Sequence, residues 1–393
     1  MATTYNIICF GFLPWSNMWK RNQSMMAELA KCDFINRVIF VNPLVSIRTF
    51  FRKNNNHNSS SRIINTLFPS KVASKILVYA PMNIVPHRKY LTKLKRIEHG
   101  ITLKYIRHLN DQKPYILFMN CPNIMMQYLL DELLKSAELS IFDFSDDFVE
   151  LGYGEQTTEL FRRTTTKYAK AADIVLTVND HIKKKYGFLN SNIHVIRNAT
   201  NYYNFNRKAY KTIEFFEKVK QDKKPIIGYI GIANMSRIDA DVLDFLLAKR
   251  PDWQFVFIGS IHLKFTERYL HYKNVQHIPP VDYESLPDYI RYFDVAVVPF
   301  KINENTKGND LLKLHDYLAM GKPVVSTDVG GAKDLKDSIV IADRPVEFLE
   351  GIEQALVNDN YEHVLKRRNL ALQNSWGNRV KELEELIRNE LDL

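Results

Sequence analysis

The sequence predicts an α/β protein: two doubly wound, Rossmann-like domains whose strand ends face a cleft. Three observations predict it. Short, uninterrupted apolar runs alternate with helical periods along the chain, the pattern of parallel strands buried on both faces. The alternation restarts after a charged bridge at 206–224, "RKAYKTIEFFEKVKQDKKP". A chain of 393 residues is also too long for one ordinary core. The expected division is 1–205 for an N-terminal domain and 206–374 for a C-terminal one. A closing charged helix, 375–393, is expected to pack back toward the first domain. In doubly wound sheets ligands sit beyond the carboxyl ends of the strands, so the loops after strands are where chemistry is sought.

In the first half "YNIICFGF" reads as a strand, "NQSMMAELAKC" as a helix and "RVIFVNP" as a strand ending at Pro43. "KILVYAP", a long helical run from about Lys89 to Asn110, and "YILFMN" follow. "IMMQYLLDELLK" precedes the strand-like "LSIFDFSDD", "ADIVLTVND" and "IHVIRN". The polar stretch "FFRKNNNHNSSSR", 50–62, has no period and reads as a loop. In the second half strands are expected at "PIIGYIG", "WQFVFIGS", "DVAVVPF" and "KPVVST", with "NVQHIPPV" between. Helices are expected at "DADVLDFLLAKRP", "YESLPDYIRYF" and "LLKLHDYLAM".

Composition is that of a globular protein, 46% hydrophobic and 25% charged, with no run of the roughly 18 uncharged apolar residues a membrane span needs. "MATTYNIICFGF" carries neither a basic leader nor a small-residue cleavage site and reads as a first strand. Cys9, Cys32 and Cys121 are scattered, which predicts free thiols in a reducing, cytoplasmic setting. Charge is uneven. Residues 1–205 hold 27 Lys and Arg against 15 Asp and Glu, a net of +12, while residues 206–393 hold 27 against 29, a net of −2. A basic half suggests an anionic partner. Its aromatics are not interleaved with Lys and Arg as nucleic-acid stacking platforms require, so nucleic acid is set aside.

Four places carry candidate chemistry. "GYIGIANMSRIDADVL" puts Gly228 and Gly231 at a strand end and Ser236-Arg237 where the next helix should begin. Backbone N–H groups there can approach a phosphate and Arg237 can pair with it, although glycine after a strand also serves a plain turn. "FIGS" repeats that ending at Gly259. "KGNDLLKLHDYLAMGKP" sets Lys313 and Asp316 three residues apart, beside an apolar face of Leu311, Leu312, Leu314, Tyr317 and Leu318. An ammonium there can hold a diphosphate and a carboxylate can accept from a ribose diol; an exposed helical ion pair is the alternative. "IFDFSDDFVELGYG" gathers Asp143, Asp146 and Asp147 after a strand, as a metal site, a base or a helix cap. "GFLPWSNMWKR" follows the first strand with Gly11, Trp15, Trp19 and Arg21, rings that can stack on sugars or pack a core.

These pieces, in this order, resemble a bacterial glycosyltransferase of GT-B architecture, nearest to glycosyltransferase family 4, in the branch of teichuronic acid and other surface-polysaccharide enzymes. The stretches that carry the resemblance are "PWSNMWKRNQSMMAELA", "IFDFSDDFVEL", "ADIVLTVNDHIKKKYG" through "NIHVIRNATNYYNF", and "NVQHIPPVDYESLPDYIRYFDVAVVPF" through "LLKLHDYLAMGKPVVST". Asn198 holds the family's Asn position with Ala199 in place of its glycine, and "SWGNRVKELEELI" resembles the family's closing helix. Two departures stand out. Where many members carry two glutamates eight residues apart, this chain has Gly308 and Asp316, and Arg237 lies farther past its glycine than the common phosphate-binding arginine.

The resemblance implies a nucleotide-sugar-dependent transferase whose first domain binds a glycan or polyprenyl-linked acceptor and whose second binds a UDP- or GDP-sugar. It implies retention of configuration, with no metal and no cofactor beyond the co-substrate. On this reading the donor meets Gly231, Ser236, Arg237, Gly259, Asn309, Leu312, Lys313 and Asp316. The acceptor meets Gly11, Trp15, Trp19 and Arg21, and Lys313 with Asp146 or Asp147 acts at the reacting bond. A nucleotide-sugar epimerase and a non-catalytic carbohydrate-binding protein are the alternatives. Finally, "PHRKYLTKLKRIEHGITLKYIRHLND", 86–111, sets basic residues around a stripe of Leu94, Ile97 and Ile101. That helix is expected either to pack its stripe on the first sheet or to rest on an anionic membrane surface at the inner face of the cell membrane.

Overall fold

The computed structural model describes residues 3–16, 19–46, 69–85, 91–120, 122–151 and 154–393. The polar stretch 50–62, Arg88, Lys89, Tyr90 and Cys121 lie outside these. The chain divides into two compact units, residues 1–196 with 380–393, and residues 197–379.

Unit 1 holds β1 (Tyr5–Phe10), β2 (Ile35–Val41), β3 (Val45–Ser46), β4 (Ser70–Ala73), β5 (Ile76–Tyr79), β6 (Met82–Asn83), β7 (Tyr115–Asn120), β8 (Leu139–Phe144), β9 (Ile174–Thr177) and β10 (Ile193–Val195). Eight of them form one sheet in the order β10-β9-β8-β7-β1-β2-β5-β4, and β3 pairs with β6 apart from it. Every pairing in the large sheet is parallel except the edge pair β4–β5. Burial explains why the apolar runs identified the strands: β1, β7 and β8 are buried at every residue, as a sheet covered on both faces requires.

Unit 2 holds β11 (Ile226–Ile230), β12 (Gln254–Ile258), β13 (Val275–Ile278), β14 (Val295–Val298), β15 (Val324–Ser326) and β16 (Val340–Ile341). Their order is β13-β12-β11-β14-β15-β16, all parallel. Counting from β11, this is the 3-2-1-4-5-6 order of a doubly wound sheet, with its switch point between β11 and β14. In unit 1 the order likewise reverses about β1, between β1 and β7.

The boundary falls at 196/197, ahead of the expected 205/206, because the chain after Arg197 is bonded into unit 2. Asn198 N–H donates to Asp310 Oδ2 (2.6 Å), and Thr200 Oγ1 donates to Asp316 Oδ1 (2.8 Å). The bridge at 206–224 contains a helix, Glu214–Gln221, whose Phe216 is buried. The closing helix, Trp376–Glu390, begins in unit 2, where Trp376 N–H donates to Thr200 O, and its remainder belongs to unit 1. There Arg388 pairs with Asp33 (2.5 Å) and the Cys32 thiol donates to Glu384 (3.4 Å). Burial and then Glu384 push that thiol up to about 12, and burial and then Asp143 push Cys9 well up, both disfavouring the thiolate.

Helix Thr92–Asn110 does not pack its apolar stripe on the sheet, the first of the two expectations. Its inward face is Lys95, His99, Thr102, Leu103, Ile106 and Asn110, whereas Leu94, Ile97 and Ile101 are 53%, 60% and 67% exposed. A lysine can face inward because Lys95 Nζ donates to Glu98 Oε2 (2.6 Å) and to Asn83 Oδ1. Among the described residues no helix is long and apolar enough to cross a membrane.

Candidate active site

The carboxyl end of β11 is built for a close approach. Gly231 (φ +122°) and Gly259 (φ +130°) follow β11 and β12 in backbone conformations that L side chains rarely adopt, and a Cβ on Gly259 would lie 2.3 Å from Gly231 O. The two strand ends therefore stack backbone on backbone. The Lys313 ammonium reaches this point, where a Cβ on Gly231 would lie 2.8 Å from its Nζ. It rests 4.0 Å from the Tyr229 ring centroid and 4.8 Å from that of Phe300, faces that attract a cation. Tyr317, one helical turn on, fixes the register: its hydroxyl accepts the Ile230 N–H (2.7 Å), tying helix Leu312–Ala319 to the last residue of β11.

Arg237 lies in the turn that follows this strand end. Burial pushes the Tyr229 hydroxyl up, and the Arg237 guanidinium pulls against that shift, so its charge acts on the ring beneath Lys313. The helix expected at Ser236-Arg237 starts later, at Ala240, with Asp239 as its cap. Ser236 and Arg237 instead lie in a turn held by Asn234, whose Oδ1 accepts from Ser236 N–H (3.0 Å) and whose carbonyl accepts from Arg237 N–H (2.9 Å). Ser236 is exposed there. Sequence reasoning missed Lys301, which closes the turn by donating from its backbone to Arg237 O (2.7 Å) and from Nζ to Met235 O (3.0 Å). The available signal was its position directly after "VAVVPF", at a strand's carboxyl end.

Helix Leu312–Ala319 is less amphipathic than its sequence suggests, for every residue from Leu314 to Ala319 is buried and only Leu312 and Lys313 are partly exposed. Asp316, expected to meet a ribose, is 2% exposed, and its Oδ1 accepts from both Thr200 and the Tyr283 hydroxyl (3.0 Å). This carboxylate serves the interior of unit 2. Asn309, seven residues earlier, is buried, and Gly308 ends the short helix Glu304–Lys307. The nearest following carboxylate, Asp310, also turns inward, to Asn198 N–H and to His315 Nε2 at 3.4 Å.

In unit 1 the candidates separate. Arg21 is 3% exposed and forks onto the fully buried Asp143, with Nε 3.0 Å from Oδ2 and Nη2 2.9 Å from Oδ1. Asn120 donates to the same carboxylate (2.7 Å) and accepts from Asn22 (2.6 Å). Arg21 is thus part of the interior, not of an acceptor surface. Asp147 is buried and committed too: Lys185 (2.7 Å) and the Tyr186 hydroxyl (2.8 Å) donate to it, and it accepts from Val149 N–H at the start of helix Phe148–Leu151. It is the helix cap that the sequence left as one alternative. Asp146 is partly exposed in the bend after β8. Gly11 makes room for Phe40, 2.4 Å from where its Cβ would stand. Trp15 packs edge-on to Phe40 (5.0 Å) and to Trp19 (6.1 Å), so these rings cluster at the carboxyl ends of β1 and β2, both partly exposed.

Residues 224–358, all within unit 2, match the family described as Glycosyl transferases group 1. A Bacillus subtilis (strain 168) protein named as a teichuronic acid biosynthesis glycosyltransferase, TuaH, is 26% identical over 266 residues. The match covers 62% of this chain and 65% of that relative, a little under two thirds of its length. Among solved structures, sucrose-phosphate synthase from Thermosynechococcus elongatus matches with a TM-score of 0.69 at 13% identity over 99% of both chains. HepE of Anabaena, solved in complex with UDP and glucose, matches with a TM-score of 0.68 at 11% identity over 98% of this chain and 99% of that one. A glycosyltransferase from Rickettsia africae matches with a TM-score of 0.68 at 14% identity over 99% of both. At such identities these structures establish the fold, which is GT-B.

Proposed function

We propose that this chain, a GT-B protein with a group 1 glycosyl transferase domain over residues 224–358, moves a sugar from a nucleotide-sugar donor to a glycan or lipid-linked glycan acceptor in surface polysaccharide synthesis. The observation that carries the reading is the Lys313 ammonium at Gly231, over the Tyr229 ring, at the switch point of unit 2. That HepE was solved with UDP and glucose on the same fold supports a UDP-sugar as the first donor to try.

In the proposed reaction an acceptor hydroxyl oxygen bonds to the anomeric carbon as the bond from that carbon to the donor's phosphate oxygen breaks. The electron pair leaves with the nucleoside diphosphate, and the hydroxyl proton passes to the departing phosphate, on the face it leaves, with retention. Negative charge grows on that phosphate, so fixed cations aimed at it lower the barrier without a metal. Lys313 holds this role and Arg237 supports it. The glycines let the phosphate approach the backbone. On the acceptor side Asp146, Trp15 and Trp19 remain candidates, and Asp147 and Arg21 do not.

Calorimetry with UDP- and GDP-sugars tests the donor site. Lys313→Gln should weaken donor binding by about 1.5–3 kcal/mol, the usual cost of a lost charged hydrogen bond, and Arg237→Gln by less, with thermal stability retained. Unchanged donor affinity in both folded variants would falsify the assignment. Asp146→Asn should lower turnover while leaving donor affinity alone.

A further inference from the structure

The outward face of helix Thr92–Asn110 has a composition that the fold does not account for. Leu94, Ile97 and Ile101 stand more than half exposed, with Lys93, Arg96, Lys104 and Arg107 exposed around them. At 100° per residue these seven fall on one side of the helix. Ile84, 50% exposed, adds to the patch, since its backbone N–H donates to Glu98 Oε1 on the same helix. Glu98 is the helix's single acidic residue, and it is occupied by Lys95 and by the N–H groups of Ile84 and Val85. The solvent face therefore carries four cations, large aliphatic side chains and no carboxylate.

We propose that this face docks on an anionic lipid bilayer, the aliphatic side chains entering the headgroup region while the four cations meet lipid phosphates. Interfacial helices bind in this way, by an apolar strip and flanking Lys and Arg, without spanning the membrane. Charge decides against the other occupants. A second copy docked face to face would set cation against cation, because a two-fold interface brings the same patch together. A nucleic acid would have to desolvate that apolar centre, and the exposed ring beside it, His108, already packs against Tyr105 (6.3 Å). The inference stands on the helix alone, so it can fail while the donor site holds, and the reverse.

Flotation of the full-length protein with phosphatidylcholine vesicles, with and without phosphatidylglycerol, tests it. Recovery should require the anionic lipid and fall as salt rises, since the attraction is screened within a Debye length. Combined replacement of Lys93, Arg96, Lys104 and Arg107 by Gln should lower partitioning at least a hundredfold, as each cation near such a surface contributes roughly fivefold. Replacement of Leu94, Ile97 and Ile101 by Ser should leave only weak, salt-labile recovery. These side chains are exposed, so melting temperatures should stay near the wild-type value; the single change Lys104→Gln gives a milder arm should a combined variant misfold. Equal recovery with both vesicle types, none with either, or wild-type binding by both folded variants overturns the proposal. So does a wild-type dimer that the serine variant converts to monomer in the absence of vesicle binding.

Discussion

At the switch point of unit 1, Arg21 forks onto Asp143 beneath the surface, and Asn120 and Asn22 complete a buried network. At the switch point of unit 2, Lys313 stands partly exposed over the neutral faces of Tyr229 and Phe300, with glycine backbone at its tip. Both places have a cation on a helix beyond the carboxyl ends of parallel strands. In the first, a carboxylate inside the fold takes up the charge and holds the sheet end together. In the second, the charge lies where a ligand phosphate can meet it. Residue type and topology predict a cation at each place, but packing decides which one is buried against a carboxylate and which stays partly exposed over ring faces.

The largest expected effect breaks the first of these. Arg21→Met leaves Asp143 buried without its partner, a change that typically costs about 3–5 kcal/mol. Denaturant unfolding should show that loss, and Arg21→Lys should recover only part of it because an ammonium cannot fork. A variant of normal stability that has lost only acceptor use would return Arg21 to the acceptor surface.

Asp316 tests the comparison within unit 2. Asp316→Ala strands the Thr200 and Tyr283 hydroxyls in a buried site, which should cost about 2–6 kcal/mol in all, at 1–3 for each unsatisfied group. Donor affinity of the folded variant should stay within a few-fold of wild type. A tenfold loss of affinity at full stability would restore the ribose assignment and remove the distinction between Lys313 and its neighbour three residues away.

Much of the fold was legible because doubly covered parallel strands announce themselves: "YILFMN" and "QFVFI" are buried throughout. The glycines ending β11 and β12 were legible for a related reason, since each falls where an apolar run stops. Side-chain direction was not legible. Leu94, Ile97 and Ile101 form an apolar stripe that periodicity can turn inward, yet the buried face carries Lys95 and His99, because Glu98 and Asn83 satisfy the lysine and His99 stacks on Tyr128. Asp146 and Asp147 are adjacent in sequence, and Lys185 and Tyr186, far along the chain, bury Asp147 while Asp146 stays partly exposed. Lys301 escaped notice because its role is set by a backbone contact with the Arg237 turn.

Asp310 carries the smallest expected effect and the closest form of the comparison, three residues before Lys313 in the same unit. Burial pushes its carboxyl up, but the hydrogen bond and charge of His315, with Asn198 N–H and Arg197, outweigh burial and hold it below the ordinary carboxylate value. A depressed folded value stabilises the protein fully above the unfolded carboxyl's pKa, about 3.9. That contribution drains away as pH falls from there through the folded value, because the unfolded chain then binds more protons. Wild type should therefore lose stability faster than Asp310→Asn on acidification below about pH 4, and the gap between them should narrow. Denaturant midpoints taken at matched pH isolate the term, since the other carboxylates titrate alike in both proteins. At neutral pH the variant's donor affinity should equal the wild type's, for this carboxylate faces Asn198 and His315 inside unit 2. A loss as large as that of Lys313→Gln would mean that the inward pair sets the loop's shape for the donor, and that a buried carboxylate can still govern a partly exposed cation three residues away.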